Sequence, residues 1–223
     1  MDKITLAKYL DLANHHQEAT VKDIEGLCQE VLTFGFNGAF VNPAHISLVK
    51  EKLGGKAKAG TVVSFPLGQE TLEIKVASAI EAVKLGADEL DVSLNVAYLL
   101  EGEWGKSEEE MKRIVDEVKS RRQDAVVKFI IETGCLSPEK IQEASKLILT
   151  SGADFIKTSS GMGPRGASLK DVELIKEAVG EKIKIKVAGG IDTLEEALAF
   201  IEKGVSRIGT SHAVKIIEEI SAQ

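Results

Sequence analysis

The sequence predicts an α/β protein, a single (β/α)₈ barrel over residues 1–223. Helix and strand signals alternate through nearly the whole chain with no break in composition, and eight strand candidates share its 223 residues. An open doubly wound sheet is the alternative, but it favours a glycine-rich GxGxxG turn after its first strand, which this chain lacks. The strand candidates, of which the first and last have the weakest signals, lie near residues 8–12, 37–42, 60–65, 89–94, 126–132, 154–159, 183–188 and 206–210.

Helix boundaries are predicted from capping residues and terminal glycines. Thr20 and Asp23 begin a helix whose apolar residues recur at helical spacing, and Gly35 ends it. Similar signals for the start and end of a helix recur before the later strands. It predicts a helix ended by Gly86, a capping box of Ser107 with Glu110, and helices at Ser137–Gly152, Ser168–Gly180 and Thr193–Gly204.

Composition and charge narrow the class of protein. Hydrophobic residues make up 43% and charged residues 28% of the chain, as in ordinary globular domains. The net charge of -7 argues against a nucleic-acid partner, and no apolar run approaches a signal peptide or membrane span, so we expect a cytoplasmic protein with no membrane partner. Cys28 and Cys135 lack the spacing of a zinc site or disulfide framework and are expected to be reduced packing residues.

Lys157 stands in the middle of the predicted strand DFIKTSSG. Parallel strands in α/β folds are covered on both faces, so this amine is expected to be shielded from water. A desolvated amine binds its proton less tightly and becomes a nucleophile toward carbonyls. The alternative is a lysine whose aliphatic stem covers a half-exposed strand while its amine reaches solvent.

Lys186 is expected next to Lys157. In KIKIKVAGG the isoleucines and Val187 share one face, which places Lys184 and Lys186 on the other face, inside the barrel; an exposed edge strand is the alternative. Adjacent strands run ~4.8 Å apart. Two ammonium groups ~5 Å apart repel by roughly 3 kcal/mol at an effective dielectric near 20, or about two pKa units. With some desolvation added, the Lys157 amine is predicted to be substantially neutral at pH 7.

Asp91 is the candidate proton carrier. It shares a strand face with Glu89 and Ser93, and a Schiff-base cycle needs a group that moves protons. Lys128, on the next strand, is expected to keep this carboxylate ionised. The alternative for Asp91 is a purely structural ion pair with Lys128.

Glycine-rich turns follow the last three strand candidates. Their backbone N–H groups suit a phosphate, and barrels often bind phosphate after strands seven and eight. By contrast, the adjacent His15 and His16 lack a third ligand at metal-binding spacing and are expected to be loop residues, and Arg165 a solvated loop residue. The turns contain Gly161 and Gly163, then Gly189 and Gly190, and finally Gly209, Thr210 and Ser211.

Seven motifs spread over the chain are similar to those of the deoxyribose-phosphate aldolases, which are class I aldolases with a (β/α)₈ fold. They are FVNP, SFPLG, GADELD, KFIIET, GADFIKTSSG, KVAGGI and RIGTS. The resemblance implies that Lys157 is the Schiff-base lysine, Lys186 the neighbour that lowers its pKa, and Asp91 the acid/base. Lys128 and the retained Asp11 would support them. By the same resemblance the phosphate-binding residues are Gly161, Gly189, Gly190, Gly209 and Ser211.

The implied reaction is the reversible cleavage of 2-deoxy-D-ribose 5-phosphate to acetaldehyde and D-glyceraldehyde 3-phosphate, with no metal or organic cofactor. This would make the chain a lyase of deoxyribose phosphate catabolism. A homodimer is common in the family and is carried over as an expectation.

The chain also departs from the family pattern near the expected substrate. Many bacterial members carry IDHTLLKP where this chain has LDLANHHQ, so Ala13 replaces a threonine and Asn14 a leucine. Phe40 stands where cysteine is common, and His212 where a second small residue is usual. Two alternatives therefore stay open: a related Schiff-base lyase acting on another phosphorylated sugar, and a sugar-phosphate-binding barrel without turnover.

Overall fold

Eight parallel strands close into a barrel in the computed structural model, which describes residues 1–220. Each strand pairs with the next one along the chain, and β1 closes the barrel against β8. The predicted (β/α)₈ barrel is confirmed, with β1 beginning two residues later than expected. The strands are β1 (Leu10–Asn14), β2 (Gly38–Val41), β3 (Lys58–Val63), β4 (Glu89–Ser93), β5 (Val126–Ile130), β6 (Phe155–Lys157), β7 (Lys184–Ala188) and β8 (Arg207–Thr210).

Helices follow or connect the strands and cover the outside of the barrel. They are α1 (Lys3–Ala7), α2 (Val21–Phe34), α3 (Ile46–Leu53), α4 (Leu72–Lys84), α5 (Val96–Glu101), α6 (Trp104–Arg121), α7 (Pro138–Ser151), α8 (Leu169–Val179), α9 (Leu194–Glu202) and α10 (Ala213–Glu219). No helix within residues 1–220 is both long enough and apolar enough to cross a membrane.

Most helix starts lie where the capping residues predict them. Thr20, Ser168 and Thr193 each accept a hydrogen bond from the backbone three residues on, and the acidic residue there bonds back to complete a capping box. Ser137 caps α7 with Pro138 in its first turn. Each of these helix starts follows the carboxyl end of a strand, which is the end where the loops of a barrel form its site.

The predicted capping box of Ser107 with Glu110 is wrong. Helix α6 already begins at Trp104, so both residues lie inside it and are buried. Glu110 instead forms a buried ion pair with Lys75 of α4, with Nζ 2.5 Å from Oε1. The Glu110 carboxylate is therefore bound by a side chain on another helix and does not cap α6.

The inner face of the barrel carries ionisable side chains, while the outer faces of the strands pack on the helices. Leu90, Val92, Val127 and Phe129 belong to the hydrophobic core. The residues that alternate with them point inward: Glu89, Asp91 and Lys128 are all buried. The usual branched apolar filling is thus replaced by a charged network.

Two expectations about exposure need correction. Lys184 lies at the start of β7, at the amino-terminal mouth of the barrel, where its side chain is exposed rather than enclosed. Cys28 is a buried free thiol as expected, but Cys135, in a 3₁₀ turn after β5, is exposed. Strand alternation predicts a face, whereas exposure depends on how near a residue lies to the strand's end.

Candidate active site

A pocket of about 280 Å³ opens at the carboxyl ends of the strands. Lys157, Lys186 and Asp91 line it, and Lys128 and Asp11 are fully buried against this group. The residues expected to bind phosphate line the same pocket: Gly161, Gly189, Gly190, Gly209 and Ser211. The structure therefore brings every site residue predicted from the sequence into one location.

Lys157 and Lys186 are directly opposite each other on the paired strands β6 and β7. Their Nζ atoms lie 2.7 and 2.9 Å from the same atom, Oδ2 of Asp91. Only 3% of Lys157 is exposed and 1% of Lys186, so neither amine reaches bulk solvent. This excludes the half-exposed alternative for Lys157, and the closed barrel excludes an edge strand for Lys186.

Burial is the main reason why Lys157 holds its proton weakly. It lowers the pKa of this amine to about 8; the neighbouring Lys186 acts in the same direction, and Asp91 opposes both. Repulsion between the amines, which the sequence predicts to be the larger contribution, ranks below burial. The carboxylate between them offsets much of that repulsion, so desolvation dominates.

Asp91 is held as a carboxylate by three lysines. Burial alone would raise its pKa, but Lys128, Lys157 and Lys186 outweigh burial and hold the pKa well below its usual value. Lys128 Nζ lies 2.9 Å from Asp91 Oδ1 and 2.6 Å from Glu89 Oε2. Burial alone would lower the pKa of Lys128, but these acids raise it, so Lys128 stays protonated.

Asp11 fixes Lys186 from the other side. Its Oδ2 accepts a hydrogen bond of 2.7 Å from Lys186 Nζ. Its Oδ1 accepts one of 2.7 Å from Asn37 Nδ2 and a longer one of 3.4 Å from Arg207. Lys186 is therefore held between two buried carboxylates, those of Asp11 and Asp91.

Phe40 closes the floor of the pocket against the lysines. Its ring centroid lies 3.6 Å from Lys186 Nζ and 4.6 Å from Lys128 Nζ, and the side chain is fully buried. A Cβ atom on Gly60 of the neighbouring strand would overlap this ring. The face of the ring therefore meets two buried ammonium groups, an arrangement that stabilises cations.

The glycine turns line the opposite side of the pocket. Gly161, Gly189 and Gly190 have φ of 85°, 83° and 71°, a left-handed conformation that turns backbone N–H groups toward one side. Gly209 serves a different need, because a Cβ there would lie 3.0 Å from Cε of Lys186. This glycine leaves room for the lysine as well as lining the pocket.

A histidine–aspartate contact that the sequence did not predict lies beside these turns. His212 Nδ1 lies 2.9 Å from Oδ1 of Asp192, and both residues line the pocket. Ser211 Oγ lies 3.3 Å from the same ring nitrogen. A carboxylate therefore lies next to the predicted phosphate site.

His15 was expected to be an ordinary loop residue, and this is only half right. It follows β1 in a loop, but it lines the pocket and its ring packs against Phe65 with centroids 5.1 Å apart. His16 also lines the pocket but is exposed.

Within residues 1–220 no group of three or more metal-ligating side chains is placed to hold a metal ion. Arg165 pairs with Asp171 at 2.6 Å instead of being fully solvated.

Comparison with known proteins identifies the family. Residues 5–212 match the model of the DeoC/LacD family aldolases. A deoxyribose-phosphate aldolase of Caldicellulosiruptor saccharolyticus is 44% identical over 220 residues, which cover 98% of this chain and 100% of the relative. One from Thermococcus gammatolerans is 43% identical over 218 residues, covering 96% and 95%.

Solved structures agree with the sequence relatives. The aldolase QR15 superposes with a TM-score of 0.92 at 39% identity, covering 98% of this chain and 97% of that one. A deoxyribose phosphate aldolase from Aeropyrum pernix, described as a tetramer, superposes with a TM-score of 0.90 at 31% identity, covering 99% and 93%. The chain therefore belongs to the DeoC/LacD aldolase family, among the deoxyribose-phosphate aldolases, and is a lyase.

Proposed function

We propose that the chain reversibly cleaves 2-deoxy-D-ribose 5-phosphate to acetaldehyde and D-glyceraldehyde 3-phosphate through a Schiff base on Lys157. The observation that carries this proposal is the buried amine of Lys157, which shares one oxygen of Asp91 with Lys186. With a pKa of about 8, roughly one-tenth of this amine is neutral at pH 7, enough to attack a carbonyl.

The first step joins Lys157 to the substrate. The neutral Nζ attacks C1 of the open-chain sugar to give a carbinolamine, and loss of water leaves a protonated imine. Asp91 lies 2.7 Å from this nitrogen and, as a carboxylate among lysines, can stabilise the positive charge that forms there. Proton transfer to the departing hydroxyl passes through Asp91 and Lys186, which are 2.9 Å apart.

The second step breaks the C2–C3 bond. A base removes the proton of the C3 hydroxyl, C3 becomes the aldehyde of glyceraldehyde 3-phosphate, and the electron pair moves into the protonated imine to form an enamine of acetaldehyde. Protonation of the enamine carbon and addition of water then release acetaldehyde and restore the amine. Asp91, aided by Lys186, is the group we assign to these transfers.

The phosphate would be bound by the glycine turns. Gly161, Gly189 and Gly190 present left-handed backbone on one side of the pocket, and Gly209 and Ser211 border it at the end of β8. Backbone N–H groups in such turns form an anion-binding concavity. Binding there would leave the carbonyl end of the sugar to meet Lys157.

Borohydride trapping tests the proposal. Reduction in the presence of acetaldehyde should fix a two-carbon fragment on Lys157, located by peptide mass spectrometry, and 2-deoxyribose 5-phosphate should be cleaved in a retro-aldol assay. Lys157→Arg keeps the charge but cannot form an imine, so it should fold normally and give neither adduct nor turnover. Absence of any adduct on Lys157 in the unmodified enzyme would refute the mechanism.

A second candidate is a Schiff-base lyase with a different phosphorylated sugar. It is favoured by the pocket wall, where Ala13, Phe40 and His212 all depart from the family pattern and line the pocket. Cleavage rates across a panel of sugar phosphates decide between the two. Binding of glyceraldehyde 3-phosphate without proton exchange on acetaldehyde would instead indicate a barrel that binds without turnover.

The cellular setting is part of the same proposal. We infer a cytoplasmic enzyme of deoxyribose phosphate catabolism that works as a homodimer. The relative from Aeropyrum pernix is described as a tetramer, which is the alternative assembly to test. Light scattering on the purified chain distinguishes a dimer from a tetramer.

A further inference from the structure

The wall of the pocket formed by the end of β1 is polar at only one of its two inward positions. Ala13 and His15 are two residues apart and both line the pocket, as strand alternation would place them. Ala13 offers only a methyl group. Any hydrogen bond from these two side chains to a bound sugar must therefore come from the imidazole of His15.

Two other short polar side chains of the pocket, Ser160 and Thr210, are already engaged. Ser160 Oγ contacts Glu132 Oε2 and accepts a hydrogen bond of 2.9 Å from the Met162 backbone. Thr210 Oγ1 donates to the Ile191 carbonyl at 2.8 Å. These groups hold the loops in place and have less capacity left for a ligand.

His15 differs from them. Its Nδ1 is buried and has no hydrogen-bond partner within residues 1–220, and it is the one such atom in that range on a residue lining this pocket. A buried polar atom without a partner is costly. Because Nδ1 is sealed off while the residue as a whole is only half-buried, Nε2 is the ring nitrogen that can meet a bound molecule.

His15 is held by one contact to its backbone and one to its ring. Its backbone carbonyl accepts a hydrogen bond of 3.3 Å from Asn42 Nδ2, and its ring packs against Phe65. The Phe65 ring centroid lies in turn 5.7 Å from Lys157 Nζ. His15 therefore stands at the reacting end of the pocket, near Lys157.

We propose that His15 is a substrate-positioning residue whose Nε2–H donates a hydrogen bond to the 2-hydroxyl of the acceptor aldehyde, next to the carbonyl carbon that joins the Lys157 enamine. This rests on the proposed function. The proposal extends that function by assigning to His15 the discrimination between acceptor aldehydes that carry the 2-hydroxyl and those that lack it.

The charge state of the ring fits this role. Burial lowers the pKa of His15 to about 3, helped by Lys157 and Lys186 and opposed by Asp91, so the imidazole is neutral at working pH. A neutral imidazole has one N–H donor and one acceptor. A proton on Nδ1 would be a buried donor without an acceptor, which favours the tautomer with the proton on Nε2, where it can point to a hydroxyl oxygen.

Two acceptors that differ in one hydroxyl test the proposal. D-Glyceraldehyde 3-phosphate and 3-oxopropyl phosphate are each condensed with acetaldehyde, and the ratio of their kcat/KM values is measured. His15→Leu should lower this ratio by roughly tenfold, the value of one neutral hydrogen bond, mostly through the hydroxylated acceptor. His15→Gln, whose amide nitrogen reaches about as far as Nε2, should restore part of the ratio.

The controls separate this proposal from the proposed function. His45→Leu, a histidine outside the pocket, should leave the ratio unchanged. Borohydride trapping of acetaldehyde on Lys157 should proceed equally in His15→Leu and the unmodified enzyme. Normal trapping with an unchanged ratio, or an equal loss for both acceptors, would overturn the role of His15. Failure of trapping in the unmodified enzyme would instead remove the Schiff-base mechanism.

Discussion

Lys157 and Lys186 stand directly opposite each other on adjacent strands of the barrel, and a single carboxylate oxygen lies within hydrogen-bond distance of both amines. The two lysines differ in what else surrounds them. Lys186 is also paired with Asp11, whereas Lys157 has Asp91 as its one acidic partner among the described residues. Equal positions on the sheet thus have unequal surroundings, and burial lowers the pKa of Lys157 to about 8.

Replacing Lys186 by leucine should move the activity profile toward alkaline pH. The charge on Lys186 lowers the pKa of Lys157, so its removal raises that pKa, and more base is needed to obtain the neutral nucleophile. Because burial carries the larger part of the effect, we expect the acidic limb of kcat/KM for retro-aldol cleavage to move by roughly one pH unit. The measurement is a pH–rate profile with 2-deoxyribose 5-phosphate.

Lys184→Leu is the matched control for this variant, because it changes an exposed lysine on the same strand and should leave the profile in place. Lys186→Leu also leaves Asp11 buried with weaker partners, so its free energy of unfolding should fall by about 3–5 kcal/mol. Thermal denaturation must therefore show that it is folded at the assay temperature. A folded variant with an unmoved profile would show that desolvation alone activates Lys157.

Asp91→Asn should separate imine formation from the later proton transfers. Asp91 raises the pKa of Lys157, so its loss lowers that pKa further and leaves the nucleophile available. Borohydride trapping of acetaldehyde at pH 7 should persist, while exchange of the acetaldehyde methyl protons with deuterated solvent should slow by about 10²- to 10⁴-fold. Exchange at the rate of the unmodified enzyme would mean that Asp91 has only a structural role.

The fold was predictable because its signals are local. Apolar periodicity and capping residues such as Thr20 and Ser168 recur once per βα unit, and each depends on neighbours three or four residues away. The wrongly predicted capping box at Ser107 shows where such local signals fail. Its Glu110 is bound by Lys75, 35 residues earlier, and no local pattern reveals such a partner.

The two lysines of the candidate site were predictable from the sequence, whereas the position of His15 in the pocket was not. A lysine inside a buried strand conflicts with its surroundings, so Lys157 and Lys186 can be recognised from the sequence alone. His15 stands in a loop, where a polar residue causes no conflict. Its burial is created by Phe65 and Asn42, which belong to segments that come close only in the folded barrel.

The free energy of unfolding should rise with pH through the titration of Lys157. The pKa of this amine is about 8 in the folded protein and near its ordinary value of 10.5 when unfolded. Between these values the unfolded chain binds more protons than the folded one, so the free energy of unfolding increases with pH, by up to about 3 kcal/mol. The contribution is absent below pH 8, where both states are protonated.

Urea denaturation of the unmodified enzyme and of Lys157→Met between pH 7 and 10 measures this contribution of Lys157 to the free energy of unfolding. Other titrating groups are common to the two proteins, so the difference between their free energies of unfolding isolates Lys157. That difference should move in favour of the unmodified enzyme as the pH rises. A difference that stays constant would place the folded-state pKa near 10.5 and contradict the activated amine.

Asp192→Asn should improve the use of phosphorylated acceptors. The Asp192 carboxylate is paired with His212 beside the glycine turns, where its charge opposes a phosphate. Because this side chain is about half exposed, solvent and salt screen it, and we expect KM for D-glyceraldehyde 3-phosphate to fall only about two- to fivefold. Unphosphorylated D-glyceraldehyde should show little change, since it lacks the charge that Asp192 repels.

The effect should shrink when the ionic strength is raised from about 0.01 to 1 M, which shortens the Debye length from about 30 to 3 Å. An equal change for both acceptors, or a rise in KM for the phosphorylated one, would mean that Asp192 acts by orienting His212 and not by its own charge.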